Sequence, residues 1–226
     1  METTVSLAIE TSSRAGGVAL GRGQEIIGSI DFPASARHAV QLVPRIDELL
    51  TDAGLKPSDV DELYVSSGPG SFTGLRVGFT VARTMGQMLG SLRCVAVPTP
   101  LVVANQAMGM PWDRLAVVLD ARDSYIHLST FVRNDGRIVA QGPSQLLDVA
   151  EFLAGIDAPV TLSGEGLLYH DCTGAKISIA PPKLYFPTAT MLWRVGRQMA
   201  RDEQYTEYNK LAPTYARPPE VLRLAE

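Results

Sequence analysis

The sequence predicts an α/β protein of two stacked lobes, each a mixed sheet flanked by helices. Three observations lead there. An order β-β-β-α-β-α can be read in residues 1–97 and nearly again in 114–203, with no repeat at the level of residues. Pro98, Pro100, Gly109 and Pro111 cluster between the two passes and suggest a joint. Finally, 226 residues with 46% apolar composition suffice for a real core in one large domain or two small lobes. The lobes are expected at residues 1–103 and 104–226.

Three β-like runs open the chain, VSLAIE (5–10), GGVALGR (16–22) and QEIIGSID (24–31), joined by links of turn length that imply a meander. In the segment that follows, Ala39, Leu42, Val43, Ile46, Leu49 and Leu50 fall on one helical face, with Ser35 as cap and Gly54 as stop. Pro44 implies a kink there or a later start. ELYVSS (62–67) reads as a strand, 74–90 as a helix and RCVAV (93–97) as a strand. The second pass gives strands at 114–121, 124–132 and 137–141, a helix near 144–154, a strand at 159–163, a short helix or turn at 165–170 and a helix near 188–203.

Composition excludes several classes. Cys94 and Cys172 stand in no metal-ligand spacing, so neither a disulfide framework nor a zinc cluster is supported and a reduced, cytoplasmic setting is expected. METTVSLAIE lacks the basic and long apolar regions of a leader, and no apolar run reaches membrane-spanning length, so a soluble, unprocessed chain is expected. The net charge of −4 is evenly spread, with 8 Lys+Arg against 10 Asp+Glu in the first hundred residues. Nucleic-acid binding needs a cationic face, so tight RNA binding by this chain alone is disfavoured.

The stretch SSGPGSFTGLRVG (66–78) is the candidate for chemistry. Gly68, Gly70 and Gly74 are spaced G-x-G-x-x-x-G, which fails the Walker and dinucleotide patterns, and no lysine follows. A loop of this kind at a helix start can still hold an anion, and Glu10, Thr11, Ser12, Gly68, Gly70 and Ser71 form the candidate set. In the helix after it, Gly74, Gly78, Ala82, Gly86 and Gly90 recur every four positions. Each interior glycine costs about 0.5 to 1 kcal/mol relative to alanine, so something must approach this backbone closely. That could be the protein's own sheet or a partner's helix. The three histidines, His38, His127 and His170, have no metal-binding spacing, and no G-x-S-x-G occurs. Asp120, Arg122 and Asp123 at a strand end suggest an intralobe ion pair, and LSGEGLLYH (162–170) a second cleft loop facing the first.

Three segments together, LAIETSSRAGGVAL, SGPGSFTGLRVG and VVLDARDSYIHL, resemble the TsaB (YeaZ) family, bacterial proteins of threonylcarbamoyladenosine synthesis on tRNA. The likeness spans nearly the whole chain, including the APTYARPPEV tail. It implies the duplicated actin-like (ASKHA, RNase H-like) fold. In the related catalytic subunit TsaD, two metal-binding histidines four residues apart follow the strand after the glycine-rich helix. Laid on AVPTPLVVA, that pattern puts Thr99 and Val103 at those positions, and neither replaces an imidazole. The resemblance therefore implies a non-catalytic paralogue without cofactor or metal. It would pair with a TsaD-type paralogue, work with a TsaE-type ATPase, form a homodimer when alone and meet tRNA only through the complex. The partner surface, on two helices of the first lobe, is expected to include His38, Leu42, Gly74, Gly78, Ala82 and Gly86. Such folds often start their first loop with Asp; Glu10 would carry its carboxylate about 1.5 Å further, which argues against nucleotide binding. The alternatives are an ATP-dependent phosphotransferase using Glu10, Thr11 and the Gly68 to Gly74 loop, and, weaker, a metallopeptidase.

Overall fold

The computed structural model describes residues 3–33 and 38–215, without the side chains of residues 38 and 39. The predicted Ser35 cap, the His38 side chain and the tail from residue 216 lie outside the described residues. The first sheet contains β1 (Val5–Glu10), β2 (Gly16–Arg22), β3 (Glu25–Phe32), β4 (Glu62–Gly68) and β5 (Arg93–Pro98), in the order β3-β2-β1-β4-β5. β1, β2 and β3 form the expected antiparallel meander, and β4 and β5 add in parallel through α1 (His38–Asp52) and α2 (Phe72–Leu89).

The second sheet repeats the plan. β6 (Arg114–Asp120), β7 (Tyr125–Asn134), β8 (Arg137–Ala140), β10 (Val160–Ser163) and β11 (Ile177–Ile179) stand in the order β11-β10-β6-β7-β8, with β9 (Gln145–Asp148) also paired to β7. Both sheets thus place an antiparallel meander beside two parallel strands, the duplicated actin-like arrangement.

Alternating burial explains why the first sheet needs cover on both faces. All six residues of β1 are buried; Leu7 and Ile9 join one core, and Ala8 joins the other. On the first face, Leu42, Ile46, Leu49 and Leu50 of α1 and Phe79 and Ala82 of α2 close the layer. The other face is covered by α5 (Ala189–Arg201), which follows the second sheet in sequence and returns to the first. Trp193 anchors it: the ring is buried, and its indole N–H donates to Ser6 Oγ at 2.8 Å. The fit demands small residues, because a Cβ on Gly21 would lie 2.1 Å from the Trp193 ring and one on Gly196 2.5 Å from Tyr64.

The sequence reading missed three elements. α3 (Thr99–Gln106) occupies the expected joint and runs across position 103/104; Pro100 is no breaker in a first turn, where its missing N–H has no helical partner to lose. Buried Val102 faces the first lobe's core, and Val103 and Ala104 that of the second. Near 144–154 the helix shrinks to α4 (Val149–Ala154), because Gln145–Asp148 pairs with β7 and Asp148 then caps α4 through the Ala150 N–H. β11 adds the third.

Gly196→Ala tests the close approach of α5. Alanine gains helix propensity of about 1 kcal/mol, but overpacking against a ring in the core costs about 1 to 3 kcal/mol, and a 2.5 Å contact puts this site at the upper end. Urea unfolding should show a net loss of roughly 2 kcal/mol. Gly109→Ala, where a Cβ meets nothing within 4 Å, should change stability little.

Candidate functional site

α2 begins at Ser71, whose side chain accepts from the Gly74 N–H, and ends at Gly90 with φ 66°. Its small-residue stripe faces inward. A Cβ on Gly78 would stand 2.4 Å from Thr11 Oγ1 and 3.6 Å from Ile9 and Val65; one on Gly86 would stand 2.4 Å from Tyr208. Gly74 and Ala82 are buried as well. This corrects the expected partner interface at Gly74, Gly78, Ala82 and Gly86: the chain's own sheet and its segment around Tyr208 already fill the groove. Leu42, expected in the same interface, is fully buried in the core beneath α1. What α1 and α2 leave outside is another set: Val40 is 61% exposed, Val43 57%, Met88 79% and Phe72 47%.

The glycine-rich loop is equally closed. The Ser71 N–H donates to Ser12 O at 2.6 Å, and a Cβ on Gly70 would lie 2.1 Å from that oxygen. Gly68, at φ 95°, has Thr214 O against it, 2.2 Å from where a Cβ would be. Of the first-turn amides, Gly74 N–H is taken by Ser71 Oγ, and Leu75 N–H makes the first helical bond to Ser71 O. Gly68 and Gly70 of the expected anion loop are thus packed against the chain's own carbonyls.

Beneath the loop, Glu10, Thr11 and Ser12 are brought together and sealed. Glu10 Oε1 accepts from both the backbone N–H and the hydroxyl of Ser12, each at 2.6 Å. Glu10 Oε2, Thr11 Oγ1 and Thr99 Oγ1 are buried without a hydrogen-bond partner. Burial pushes the Glu10 carboxyl up from the ordinary 4.5 to about 7, and the two Ser12 bonds pull the other way without overcoming it. These residues sit at the C-terminal ends of β1 and β5, the edge where open α/β sheets hold ligands. Here that edge is packed.

The second lobe contributes the facing edge. The His170 ring lies 3.0 Å from Asp120 Oδ1, which also accepts the Arg122 N–H at 3.1 Å, while the Asp120 N–H donates to Glu165 at 3.2 Å. Burial raises the Glu165 carboxyl above its usual range, against the lowering pull of its bond from Asp120 N–H and of Arg14 and His170. Arg14, in the β1–β2 turn, lies 5.8 Å from the centre of the Tyr169 ring, so the LSGEGLLYH loop does face the first lobe. The pairing of Asp120 with His170, 50 residues away, left no signal in spacing. Among the described residues, no three His, Cys, Asp or Glu side chains are grouped to hold a metal ion. Nor is any helix among them long and apolar enough to cross a membrane.

A family model described as TsaD, tRNA N6-adenosine threonylcarbamoyltransferase, matches residues 32–207. A Bacillus subtilis relative, the tRNA threonylcarbamoyladenosine biosynthesis protein TsaB, is 29% identical over 97% of this chain and 94% of its own length. The protein of that name from Haemophilus influenzae is 34% identical over 61% of this chain and 58% of its own. Among solved structures, YeaZ from Pseudomonas aeruginosa superposes with a TM-score of 0.80 at 24% identity, covering 94% of this chain and 99% of that one, a likeness of fold.

Two variants test this geometry. Gly78→Leu forces a side chain into the Thr11 contact and should destabilise the isolated chain by roughly 3 kcal/mol or more in urea unfolding. Because the Glu10 pKa is raised on folding, its stabilising contribution is full below about 4.5 and is lost as pH rises through about 7. From pH 5 to pH 8 the wild type should therefore lose on the order of 2 to 3 kcal/mol relative to Glu10→Gln, read from unfolding midpoints.

Proposed function

The chain belongs to the TsaD-type threonylcarbamoyltransferase family, in which its relatives carry the name TsaB, and from that premise we propose that it serves tRNA threonylcarbamoyladenosine biosynthesis as a subunit without an active site of its own. The observation that carries this reading is at α3. Thr99 and Val103, which the resemblance sets at the positions of the catalytic relative's metal-binding histidine pair, lie four residues apart and are both buried. A hydroxyl and an isopropyl group do not fit an iron or zinc centre. Sealing of Glu10 and closure of the 68–71 loop support the same conclusion against a phosphotransferase.

A subunit without chemistry contributes shape, and its docking surface is the outward side of α1 and α2. Val40, Val43, Phe72 and Met88 are four large apolar side chains that the fold leaves in water on these two helices. The partner is a TsaD-type catalytic paralogue, and the same surface closes a homodimer when that paralogue is missing. A TsaE-type ATPase joins the complex, and tRNA is reached through it, in keeping with a chain whose net charge is −4. The lobe that docks is residues 1–103, backed by α5, and a cytoplasmic location goes with this role.

Val43→Glu and Met88→Glu change exposed positions, so each should alter folding stability by no more than about 0.5 kcal/mol. In calorimetry against the TsaD-type partner, each should weaken association by at least about 10-fold, a loss of about 1.4 kcal/mol. Affinity equal to wild type would refute the assigned face. ATP turnover by the lone chain would refute the absence of an active site.

A further inference from the structure

Glu10 is fully buried, yet only one of its carboxyl oxygens is served: Oε1 takes both Ser12 bonds at 2.6 Å, and Oε2 has no hydrogen-bond partner. We propose that Glu10 is a proton-operated switch, which holds the 68–71 loop and the first turn of α2 closed while its carboxyl is neutral and loosens them when it ionises.

The contacts run in one line from the carboxyl to the helix. Ser12, which gives Glu10 its backbone N–H and its hydroxyl, offers its own carbonyl to the Ser71 N–H at 2.6 Å. Ser71 caps α2 by accepting the Gly74 N–H at 3.2 Å, and Phe72 follows it as the first residue of the helix, 47% exposed. The loop is also tied by the Thr214 N–H, which donates to Ser67 O at 2.7 Å. β1, by contrast, is fixed within its sheet by β2 on one side and β4 on the other. A stress that arises at Glu10 is therefore relieved in the loop and the helix start before it moves the strand.

Ionisation supplies that stress. An unpaired buried charge is penalised far more than an unpaired neutral oxygen, so a carboxylate favours whatever opening admits water to Oε2. The groups around Glu10 do not compensate the charge. Burial is the largest influence on it and raises the carboxyl to about 7, against hydrogen bonds from Ser12 and Ser66. Its register partner on β2 is Gly17, against which α5 sets Ala189, and α3 carries no ionisable residue. Asp31 on β3 reaches over Gly17, but it is exposed and of the same sign. Arg14, exposed in the β1–β2 turn, is directed to Tyr169 and Glu165 of the second lobe, where Asp120 and His170 pair with each other. Arg76 and Arg83 of α2 are exposed, over the Phe72 ring and on Asn209 O.

The closed carboxyl titrates near 7 and a hydrated one near the ordinary 4.5, so closure is favoured in full below about 4.5, weakens as pH rises through about 7 and levels off above it. By that linkage the opening equilibrium should grow on the order of 50-fold from pH 5 to pH 8. Hydrogen exchange of the full chain, corrected for the intrinsic pH dependence of amide exchange, reads it at Ser71 and Gly74. Both amides should lose protection by that factor while exchanging faster than the slowest amides of β6 and β7, and in Glu10→Gln their protection should be the same at both pH values. Carbon-13 NMR titration of the Glu10 Cδ in the wild type, which needs no variant to fold, should give a midpoint near 7. Unchanged protection of Ser71 and Gly74 in the wild type, an equal loss in Glu10→Gln, exchange only as slow as the slowest amides of β6 and β7, or a Glu10 midpoint below about 5 overturns the proposal. None of these readouts depends on the TsaD-type partner.

Discussion

Where α2 meets the ends of β1 and β4, glycine at position 78 lets the helix backbone come down onto the Thr11 hydroxyl, closer than any side chain permits. Much of the first lobe follows from that approach. Because the helix sits so low, the turn that launches it presses on Ser12, the segment carrying Tyr208 crosses it at Gly86, and Glu10 beneath is shut away from water. The three glycines within α2 lower helix propensity by about 1.5 to 3 kcal/mol in sum, and the dense contact with the sheet offsets that cost. A loop built like a ligand cradle has become a packing element.

That closure has an electrostatic consequence. Glu10 keeps both Ser12 hydrogen bonds on one oxygen and leaves the other buried without a hydrogen-bond partner. A charged carboxylate there would be penalised far more than a neutral one, which is why the group holds its proton to about pH 7. A nucleotide site at this edge would need the reverse, an ionised and accessible carboxylate facing metal and phosphate. The extra methylene that separates Glu10 from the aspartate usual in such loops is of a piece with this inward turn.

Much of this was legible in the sequence, and the exceptions have physical reasons. The β-like runs and their repeated order announced two mixed sheets, and the four-residue recurrence of Gly74, Gly78, Ala82 and Gly86 announced a close approach. It could not say by what, since periodicity defines a face and not the surface opposite. The deciding contacts come from Thr11 and Tyr208, one before the helix and one more than a hundred residues after it. α3 escaped because Pro100 looks like a breaker unless one knows that it falls in the first turn. Pairings such as His170 with Asp120 and Tyr205 with Glu62 join distant segments and carry no local signature.

Parallel strands give a sheet two unlike ends, and this chain uses them differently. At the C-terminal ends of β1, β4 and β5, the Ser71 and Gly74 amides bond the protein's own carbonyl and hydroxyl. At the N-terminal ends, the return of α5 brings the basic end of a helix over strand starts that carry Glu62 and Arg93. The helix must come back to cover Ala8, Ala19 and Tyr64, so its last turn has to end over this edge, and the arginines there follow the negative end of its dipole. Duplication of the fold thus does more than double a core. By lending its last helix to the first sheet, the second lobe fixes which end of that sheet is filled by packing and which retains charge. A mutation that loosened Trp193 from Ser6 would be felt at the arginine-lined end before the Glu10 edge, because only the former is built from α5 itself.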